Sequence, residues 1–525
     1  MNGNQALATK VLQELARLGV REFAVAAGAR NAPLLAPLLA SSGIVVRHFF
    51  DERSAAFFAL GRIMADQSPV AVITTSGTAV GELLPAVMEA HYQGLPLVLV
   101  TADRPKRFRG TGAPQAVEQK DVFGCYAEAT LDLDAHSLNT RWPPHTVAQP
   151  LHVNVCFDEP LDCAPEGIDF GNFSVTPARR TPPDGNDGRS ILESWLENRH
   201  GLVVLASGLH PSRIDQAVKF LRAVNAPIIA EATANLHGAS ELNDLLLPEG
   251  ESALRDLRVK RVLRIGAVPS WRWWRDLEER PDIAVLNICE PSFPGLARRE
   301  NVATCGWSLL EYTCDHCIGA QVSSGKVGHE QRLDELTQSY PLSEPGWIRR
   351  LSRAIPSSAR VFLGNSLPIR EWNLAAVKAL QGTTFFANRG ANGIDGIVST
   401  FLGVSATSSE SWLIIGDLSA LYDLSAPWIL RQLPPGNRRI VVINNGGGKI
   451  FSRVESLRSL DTRTREVIEN QHSHSFESWA RMWELNYTLC SSPDQLASLP
   501  DGNAIVEISP EAQETEAFWL AWKRA

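Results

Sequence analysis

The sequence lacks long apolar runs. None of its uninterrupted apolar stretches approaches the roughly 20 residues that a membrane-spanning helix needs. The first segment, MNGNQALATK, has neither the basic start nor the apolar stretch of a signal peptide. Lysine and arginine are dispersed and the net charge is −8, so positive charge is not concentrated as on a nucleic-acid-binding surface. These absences favour a cytoplasmic protein that binds neither membranes nor nucleic acids.

Cysteine is also scarce, with eight residues scattered over 525 positions. The one close pair is Cys314 and Cys317, in the segment CDHC. A single CxxC can be half of a zinc site or a redox pair. No second CxxC follows, so we expect reduced structural thiols instead.

Apolar strand-like runs alternate with segments of helical periodicity throughout the chain. This alternation predicts an α/β fold in which parallel sheets are covered by helices, and the length favours three or four domains. The predicted domains span residues 1–170, 190–330 and 345–525, with linkers at 170–189 and 322–333. The strand candidates are residues 23–27, 44–50, 70–75, 97–100, 151–155, 202–206, 228–230, 262–265, 284–288, 361–363, 384–387, 411–415, 439–443 and 504–508.

Two polar segments follow neighbouring strands in the last domain. The strand at 411–415 leads to Asp417, and the strand at 439–443 leads to Asn445 and a run of glycines, with helical spacing at 421–432 between them. Either segment alone is common strand-end punctuation. Together they place an acid and an amide where open parallel sheets bind ligands. We therefore expect Asp417, Asn445 and the carbonyl of Gly447 to bind a Mg²⁺ ion that holds a phosphate group.

This Gly-Asp and Asn-Asn pair resembles the diphosphate-binding motif of thiamine diphosphate enzymes, although Leu418 stands where that motif has glycine. The segments GDLSALYDL, NNGGGKIF, TTSGTAVGELLPAVMEA, LPLVLVTADRP, GNSLPIR and NRGANGIDG are similar to the MenD family of menaquinone biosynthesis. The resemblance covers nearly the whole chain and is weakest in the middle. It implies a pyrimidine-binding, a central and a diphosphate-binding domain, in a homodimer or homotetramer with active sites at the subunit interface.

The resemblance also implies an activity. Members of this family are transferases that use thiamine diphosphate and Mg²⁺ or Mn²⁺. They decarboxylate 2-oxoglutarate and add the resulting carbanion to isochorismate in a conjugate sense. One alternative is another thiamine diphosphate carboligase or 2-oxo-acid decarboxylase, against which GNSLPIR and NRGANGIDG argue. A second is a catalytically silent member acting as a scaffold, against which the retained Glu52, Asp417 and Asn445 argue.

The cofactor-binding candidates take their roles from the same resemblance. Glu52 corresponds to the glutamate that hydrogen-bonds the aminopyrimidine ring and activates the cofactor; on sequence alone it is an ordinary helix N-terminal acid. Ile394 is a candidate for the apolar wedge that holds the cofactor bent. The alternative is that Ile394 is an ordinary core residue. The other cofactor-binding candidates are Asn365, Ser366, Asp417, Leu418, Ser419, Asn445, Gly447, Ile450 and Phe451.

The substrate-binding candidates are mostly arginines in motif positions. Both expected substrates carry two carboxylates, which arginine can bind through two parallel hydrogen bonds. Three positions depart from the family pattern, since Ala29 and Asn392 stand where serine is usual, and Arg272 replaces a lysine. No histidine falls in a motif, so we expect no catalytic histidine. The substrate-binding candidates are Arg30, Arg104, Gln115, Arg272, Ser366, Arg370 and Arg389.

Overall fold

The structure is a computed structural model that describes residues 3–142, 149–175, 186–290, 293–311, 328–378, 382–457 and 459–523. The chain divides into two compact units. Unit 1 contains Met1–Thr181, Gly390–Thr407 and Tyr422–Pro434, and unit 2 contains Pro182–Arg389, Ser408–Leu421 and Pro435–Ala525. Among the described residues, no helix is both long and apolar enough to cross a membrane.

The first sheet belongs to unit 1 and has six parallel strands in the order β2-β1-β3-β4-β6-β5. Its inner strands β3 and β4 are buried along their whole length, as expected of a parallel sheet covered on both faces. The strands are β1 (Glu22–Ala26), β2 (Val45–Phe49), β3 (Val70–Thr74), β4 (Leu97–Asp103), β5 (Ala129–Leu133) and β6 (Leu151–Cys156), and the helices are α1 (Gly3–Arg17), α2 (Ala32–Leu39), α3 (Glu52–Asp66), α4 (Thr78–Gly81) and α5 (Leu84–Gln93).

The second sheet belongs to unit 2 and has five parallel strands in the order β11-β10-β9-β7-β8. Its apolar side chains form a core with those of α7, whose buried residues recur at helical spacing. The strands are β7 (Leu202–Ser207), β8 (Ile228–Ala230), β9 (Arg261–Gly266), β10 (Ala284–Ile288) and β11 (Val302–Cys305), and the helices are α6 (Asn186–Glu197), α7 (Ile214–Val224), α8 (Ala253–Asp256) and α9 (Arg272–Asp276).

The third sheet, also in unit 2, has six parallel strands in the order β13-β12-β14-β15-β17-β16. The strands are β12 (Arg360–Leu363), β13 (Thr384–Phe386), β14 (Glu410–Gly416), β15 (Asn437–Ile443), β16 (Asn486–Cys490) and β17 (Asn503–Ile508). The remaining helices are α10 (His329–Ser339), α11 (Glu344–Ala354), α12 (Leu367–Ala375), α13 (Ile397–Ser405), α14 (Asp417–Tyr422), α15 (Thr462–Glu469), α16 (Glu477–Met482) and α17 (Ala512–Lys523).

The predicted parallel α/β architecture is confirmed, and every predicted strand overlaps an observed one. The sequence missed β5, β11 and β16, and each of these lies at the edge of its sheet. Their residues are mostly half-buried or exposed, so they lack the continuous apolar run by which the inner strands were found. The domain boundaries at 170, 190, 330 and 345 stay a prediction.

Three local predictions were partly wrong. The linker predicted to end at residue 189 overlaps α6, and the one predicted at 322–333 overlaps α10, while residues 176–185 and 322–327 lie outside the described part. The single helix predicted at 421–432 is instead the end of α14 followed by a 3₁₀ helix at Ala426–Gln432. Pro427 opens that second helix, because proline fits a first helical turn better than a helix interior.

Helices α3 and α13 pack closely within unit 1 because glycines face each other. The Cα of Gly403 lies 2.9 Å from where a Cβ on Gly61 would stand. That Cβ would also lie 2.8 Å from the backbone nitrogen of Val404 and overlap the carbonyl oxygen of Thr400. The contact is therefore backbone against backbone, which only glycine permits. Because α3 begins at Glu52, this packing positions the helix that carries the predicted catalytic acid.

Replacing Gly61 with alanine tests this contact. The added Cβ must push the two helices apart, so we expect the free energy of unfolding to fall by about 1–3 kcal/mol. Gly81→Ala is the control, since a Cβ there meets no atom within 4 Å and alanine favours helix over glycine. Thermal unfolding followed by circular dichroism measures both variants. A Gly61→Ala protein as stable as the Gly81→Ala protein would contradict the close packing.

Candidate active site

The carboxyl ends of four neighbouring strands in unit 2 bring several motif residues together. Strands β13, β12, β14 and β15 are adjacent and parallel. The segments that follow them contain, in the same order, Arg389, Asn365, Asp417 and Asn445. Since parallel strands end at the same edge, segments far apart in sequence converge there, in the position where α/β sheets bind ligands.

Asp417 joins the end of β14 to the loop after β15. Its Oδ2 accepts hydrogen bonds from the backbone N–H groups of Gly446 (2.8 Å) and Gly447 (2.9 Å), and its Oδ1 accepts one from Leu418 (2.6 Å). The side chain is buried, and this burial raises the pKa of the carboxyl, while the amide hydrogen bonds act in the opposite direction. Asp417 therefore organises the loop and presents a desolvated carboxylate. Ser419, two residues on, is buried in α14.

The adjacent residues Asn444 and Asn445 differ in their hydrogen bonds. The Nδ2 of Asn444 donates to Glu507 (2.7 Å) and to the carbonyl of His474 (2.8 Å), so this side chain braces the loop. The side chain of Asn445 hydrogen-bonds the buried carboxyl of Glu344, and only its amide nitrogen can donate there. Its Oδ1 is buried and accepts no hydrogen bond from any residue that the structure describes. An unpartnered buried oxygen is costly unless a ligand completes it.

The glycines after Asn445 form a tight turn. Gly447 has a φ of +136°, and a Cβ there would lie 2.6 Å from the carbonyl oxygen of Glu469. The carbonyl of Gly447 accepts a hydrogen bond from the backbone N–H of Lys449 (2.9 Å). Its use as a metal ligand stays a prediction. Ile450, half-buried, and Phe451, exposed, follow the turn.

The donors at this edge fit Mg²⁺. Among the described residues, no group of three or more His, Cys, Asp or Glu side chains could hold a metal ion. The site instead offers the carboxylate of Asp417 and the unpartnered amide oxygen of Asn445. Hard oxygen donors in small number suit Mg²⁺, which commonly takes its other ligands from phosphate and water.

The segments GNSLPIR and NRGANGIDG also meet at this edge. The guanidinium of Arg389, nearly buried, donates to Oδ1 of Asn365 (3.1 Å), and Nδ2 of Asn365 donates to the carbonyl of Asn388 (2.9 Å). Ser366 has a φ of +73° at the start of α12, and its carbonyl accepts a hydrogen bond from Arg370 (2.6 Å). Asn365 thus holds Arg389, whereas Arg370 is more exposed and bonds to the start of its own helix.

Arg272 lies in the loop after β9, at the start of α9, and is largely exposed beside Asp276 (3.6 Å). The loop is anchored by Glu231, which is fully buried. Its Oε1 accepts hydrogen bonds from the backbone N–H of Ser270 (2.7 Å) and from Asn373 on α12 (3.3 Å). This carboxylate therefore links the loop of Arg272 to the helix that carries Arg370.

In unit 1, Glu52 is the first residue of α3 but does not cap it. The cap is Asp51, whose Oδ1 accepts a hydrogen bond from the backbone N–H of Ser54 (3.0 Å). Glu52 is half-buried. Burial raises the pKa of its carboxyl, and the negative charges of Asp51 and Glu82 add to this effect. A carboxyl so placed can hold a proton more readily than an exposed glutamate.

The other candidates in unit 1 follow strands β1 and β4 of the first sheet. Arg30 follows β1 and donates to the carbonyl of Phe157 (3.1 Å). Arg104 follows β4, with its guanidinium carbon 5.7 Å from the ring centre of Phe108. Gln115 is exposed, with a φ of +57°. With Glu52 after β2, these residues lie at the carboxyl ends of strands in one sheet.

Ile394 lies in unit 1, in the loop between β13 and α13, and is half-buried. Asn392, which replaces the serine usual in the family, has a φ of +61°. Asparagine tolerates this left-handed conformation better than most residues, which is a physical reason for its presence. Nothing in the structure explains Ala29.

Sequence reasoning missed His472. Its Nε2 lies 3.4 Å from Oδ2 of Asp417, and its backbone N–H donates to the carbonyl of Gly446 (3.2 Å). No sequence signal could have found it, because NQHSHSF is an irregular polar segment without a motif.

The predicted thiol pair Cys314 and Cys317 lies outside the described residues, so it stays a prediction. The described cysteines that carry free thiols are Cys125, Cys156, Cys163, Cys289, Cys305 and Cys490.

Comparisons with known proteins identify the family of this chain. Residues 5–122 match the N-terminal TPP binding domain of the thiamine pyrophosphate enzymes. A protein of Bdellovibrio bacteriovorus is 40% identical and one of Akkermansia muciniphila is 39% identical, each over 99% of both chains. A protein of a Synechococcus strain is 33% identical over 86% of this chain and 84% of its own. All three are named 2-succinyl-5-enolpyruvyl-6-hydroxy-3-cyclohexene-1-carboxylate synthase. The chain therefore belongs to the family of these synthases, within the thiamine pyrophosphate enzymes.

Proposed function

We propose that this protein is a 2-succinyl-5-enolpyruvyl-6-hydroxy-3-cyclohexene-1-carboxylate synthase of menaquinone biosynthesis. In this proposal it uses thiamine diphosphate and Mg²⁺ or Mn²⁺, decarboxylates 2-oxoglutarate, and joins the resulting carbanion to isochorismate. Bound thiamine diphosphate supplies the nucleophilic carbon and the electron sink for decarboxylation. The protein's own residues supply binding, orientation and proton transfer.

One observation carries the proposal most directly. The buried Oδ1 of Asn445 has no protein partner among the described residues. Asn445 follows β15, and the neighbouring strand β14 leads to the buried Asp417. The neighbouring Asn444, by contrast, donates to Glu507 and to the carbonyl of His474. Asp417, Asn445 and Gly447 would hold the metal ion, with Leu418, Ser419, Ile450 and Phe451 beside the cofactor.

Glu52 is the proposed acid–base residue. Since Asp51 already caps α3, the carboxyl of Glu52 is not needed for capping. Its raised pKa favours sharing a proton with a ring nitrogen of the cofactor, because an acid near its pKa both donates and accepts. Ile394 would contribute an apolar contact to the cofactor.

The arginines are the proposed carboxylate sites. Arg389, Arg370 and Arg272 lie in unit 2 on segments connected by Asn365 and Glu231. Arg30, Arg104 and Gln115 lie at the carboxyl edge of the first sheet. In an acidic protein, such local positive charge lets dianionic substrates approach. Ser366 and Asn365 would add hydrogen bonds.

The proposed assembly is a homodimer or homotetramer with active sites at the subunit interface, as the family resemblance implies. Sedimentation equilibrium with and without cofactor measures the mass in solution. A monomer under both conditions would contradict this part of the proposal.

The decisive experiment is incubation of the purified protein with thiamine diphosphate, MgCl₂, 2-oxoglutarate and isochorismate. Mass spectrometry should detect the synthase product, and omitting any component should abolish it. Product from another 2-oxo acid or acceptor, but none from this pair, would favour a different carboligase. Cofactor binding without any turnover would favour a silent scaffold.

Asp417→Ala should abolish tight binding of metal and cofactor because it removes the charged metal ligand. Asp417→Asn should weaken binding by about 100-fold or more while keeping an acceptor for the amide of Gly446, so its fold should survive. Calorimetric titration with thiamine diphosphate and MgCl₂ measures both variants. Asp282→Ala, at an exposed surface ion pair, is the control. Wild-type affinity in the Asp417 variants would refute the metal site.

Arg370→Ala and Arg389→Ala should impair use of the substrates far more than cofactor binding. Truncating the partner of a bound carboxylate typically costs about 2–5 kcal/mol in binding. Steady-state kinetics with each substrate, beside cofactor titration, separates the two effects. Arg280→Ala, at an exposed ion pair with Asp282, should leave both unchanged. Normal turnover of both substrates by both variants would remove these arginines from the site.

Glu52→Gln should slow activation of the cofactor while leaving its binding nearly intact. Glutamine keeps size and hydrogen bonding but cannot pass a proton, so hydrogen–deuterium exchange at C2 of bound thiamine diphosphate should slow by about 10²–10⁴-fold. Glu193→Gln, at an exposed ion pair with Arg189 on α6, is the control. If Glu52→Gln exchanges that proton as fast as the wild type, Glu52 is not the activating residue.

A further inference from the structure

The loop Gly390 to Gly396 in unit 1 is held at its beginning by a glutamate from a distant helix. Glu89, on α5, accepts hydrogen bonds from two successive backbone N–H groups. One is from Gly390 to Oε1 (2.7 Å) and the other from Ala391 to Oε2 (2.7 Å). Each carboxylate oxygen thus accepts one amide, an arrangement that fixes both the position and the direction of the loop.

The environment of Glu89 makes this contact strong. The side chain is almost completely buried, and Gln93, one turn further along α5, also donates to Oε1. A buried carboxylate is costly without hydrogen-bond donors, so the two backbone amides stabilise the charge while the charge holds the loop. Charge-assisted hydrogen bonds of this kind are about twice as strong as neutral ones.

The loop also approaches α5 more closely than a side chain would allow. A Cβ on Gly390 would lie 2.5 Å from the backbone oxygen of Glu89 and 3.1 Å from its Oε1. At the other end, a Cβ on Gly396 would overlap the ring of Phe57 on α3. The loop is therefore fixed between α5 and α3 in unit 1. Ile394 lies in the loop between these two fixed ends.

Beyond Gly396, α13 is fixed as well. The backbone N–H and the hydroxyl of Ser399 donate to the buried carboxylate of Asp423 (2.7 and 3.0 Å). Glu89 therefore supplies the charged contact at the start of the loop, where Arg389 is the preceding residue in the chain. Its loss would release that end while the helix end stays anchored.

We propose that Glu89 is a positioning residue for the reaction. By clamping the amides of Gly390 and Ala391, it sets the backbone that carries Ile394 and directly follows Arg389. The inference rests on the proposed function, in which these two residues contact cofactor and substrate. Glu89 itself contacts neither cofactor nor substrate in this proposal.

Glu89→Gln is the test, because it keeps the size of the side chain but can offer only one carbonyl oxygen to two amides. Hydrogen exchange at the peptide containing Gly390 and Ala391, followed by mass spectrometry, should become faster in the variant. The KM for 2-oxoglutarate or isochorismate should rise by about 10- to 100-fold, since small misplacements of binding groups have effects of this size. The value of kcat should change less.

Glu278→Gln is the matched control. Glu278 holds Ala297 and Arg298 by the same two-amide contact (2.7 and 3.1 Å), in a loop after β10. This control measures the loss of stability that breaking such a contact causes by itself. A Glu89→Gln protein with faster exchange and a raised KM, at a melting temperature like that of Glu278→Gln, would support the proposal.

Two results would overturn it. Unchanged exchange at Gly390 and Ala391 would show that Glu89 does not hold the loop. Faster exchange with kinetic constants like those of Glu278→Gln would show that the clamp is purely structural. An inactive wild-type protein would instead refute the proposed function, and the exchange experiment would still decide whether Glu89 holds the loop.

Discussion

The site depends on one interaction, in which a buried carboxylate accepts hydrogen bonds from two backbone N–H groups. Asp417 makes it with Gly446 and Gly447, and so joins the ends of β14 and β15 beyond the last paired residues of the two strands. Without it, two amides in a glycine turn would lose their acceptor, at a cost of about 1–3 kcal/mol for each one left buried. The same carboxylate is the hardest oxygen donor at this edge. The residue that builds the turn is therefore also the proposed metal ligand.

Buried carboxylates also hold two other loops of the molecule. Parallel sheets satisfy their own backbone groups, but the loops at their carboxyl ends contain amides that the ladder cannot pair. Glu89 accepts two such amides in unit 1, and Glu231 accepts one, from Ser270, in unit 2. Buried carboxylates suit this task because several N–H dipoles together stabilise one negative charge. Loop geometry is thus determined by acids remote in sequence.

This explains which parts of the molecule could be predicted from the sequence. The inner strands are apolar along their length, and the motif residues fall at strand ends. The sheets and the edge proposed to bind ligands could therefore be predicted. The edge strands β5, β11 and β16 were not, because half-exposed strands need no apolar run. The motif singled out Asn445, but the sequence could not reveal the different contacts of the two residues, that of Asn444 with Glu507 and that of Asn445 with Glu344. Glu89 is invisible for the same reason, since its partners lie 301 and 302 residues away.

The arginines of the last domain illustrate the remaining step from motif to function. Arg389 is nearly buried, and Asn365 already fixes its guanidinium, so little side-chain entropy is left to lose when a carboxylate binds. Arg370 and Arg272 are more exposed, and their side chains make local contacts: Arg370 donates to the carbonyl of Ser366, and Arg272 lies 3.6 Å from Asp276. These three arginines therefore differ in how far the protein preorganises them for binding. In the proposed function, this preorganisation favours Arg389 as the group that orients a substrate, and the more exposed arginines as the groups that attract it.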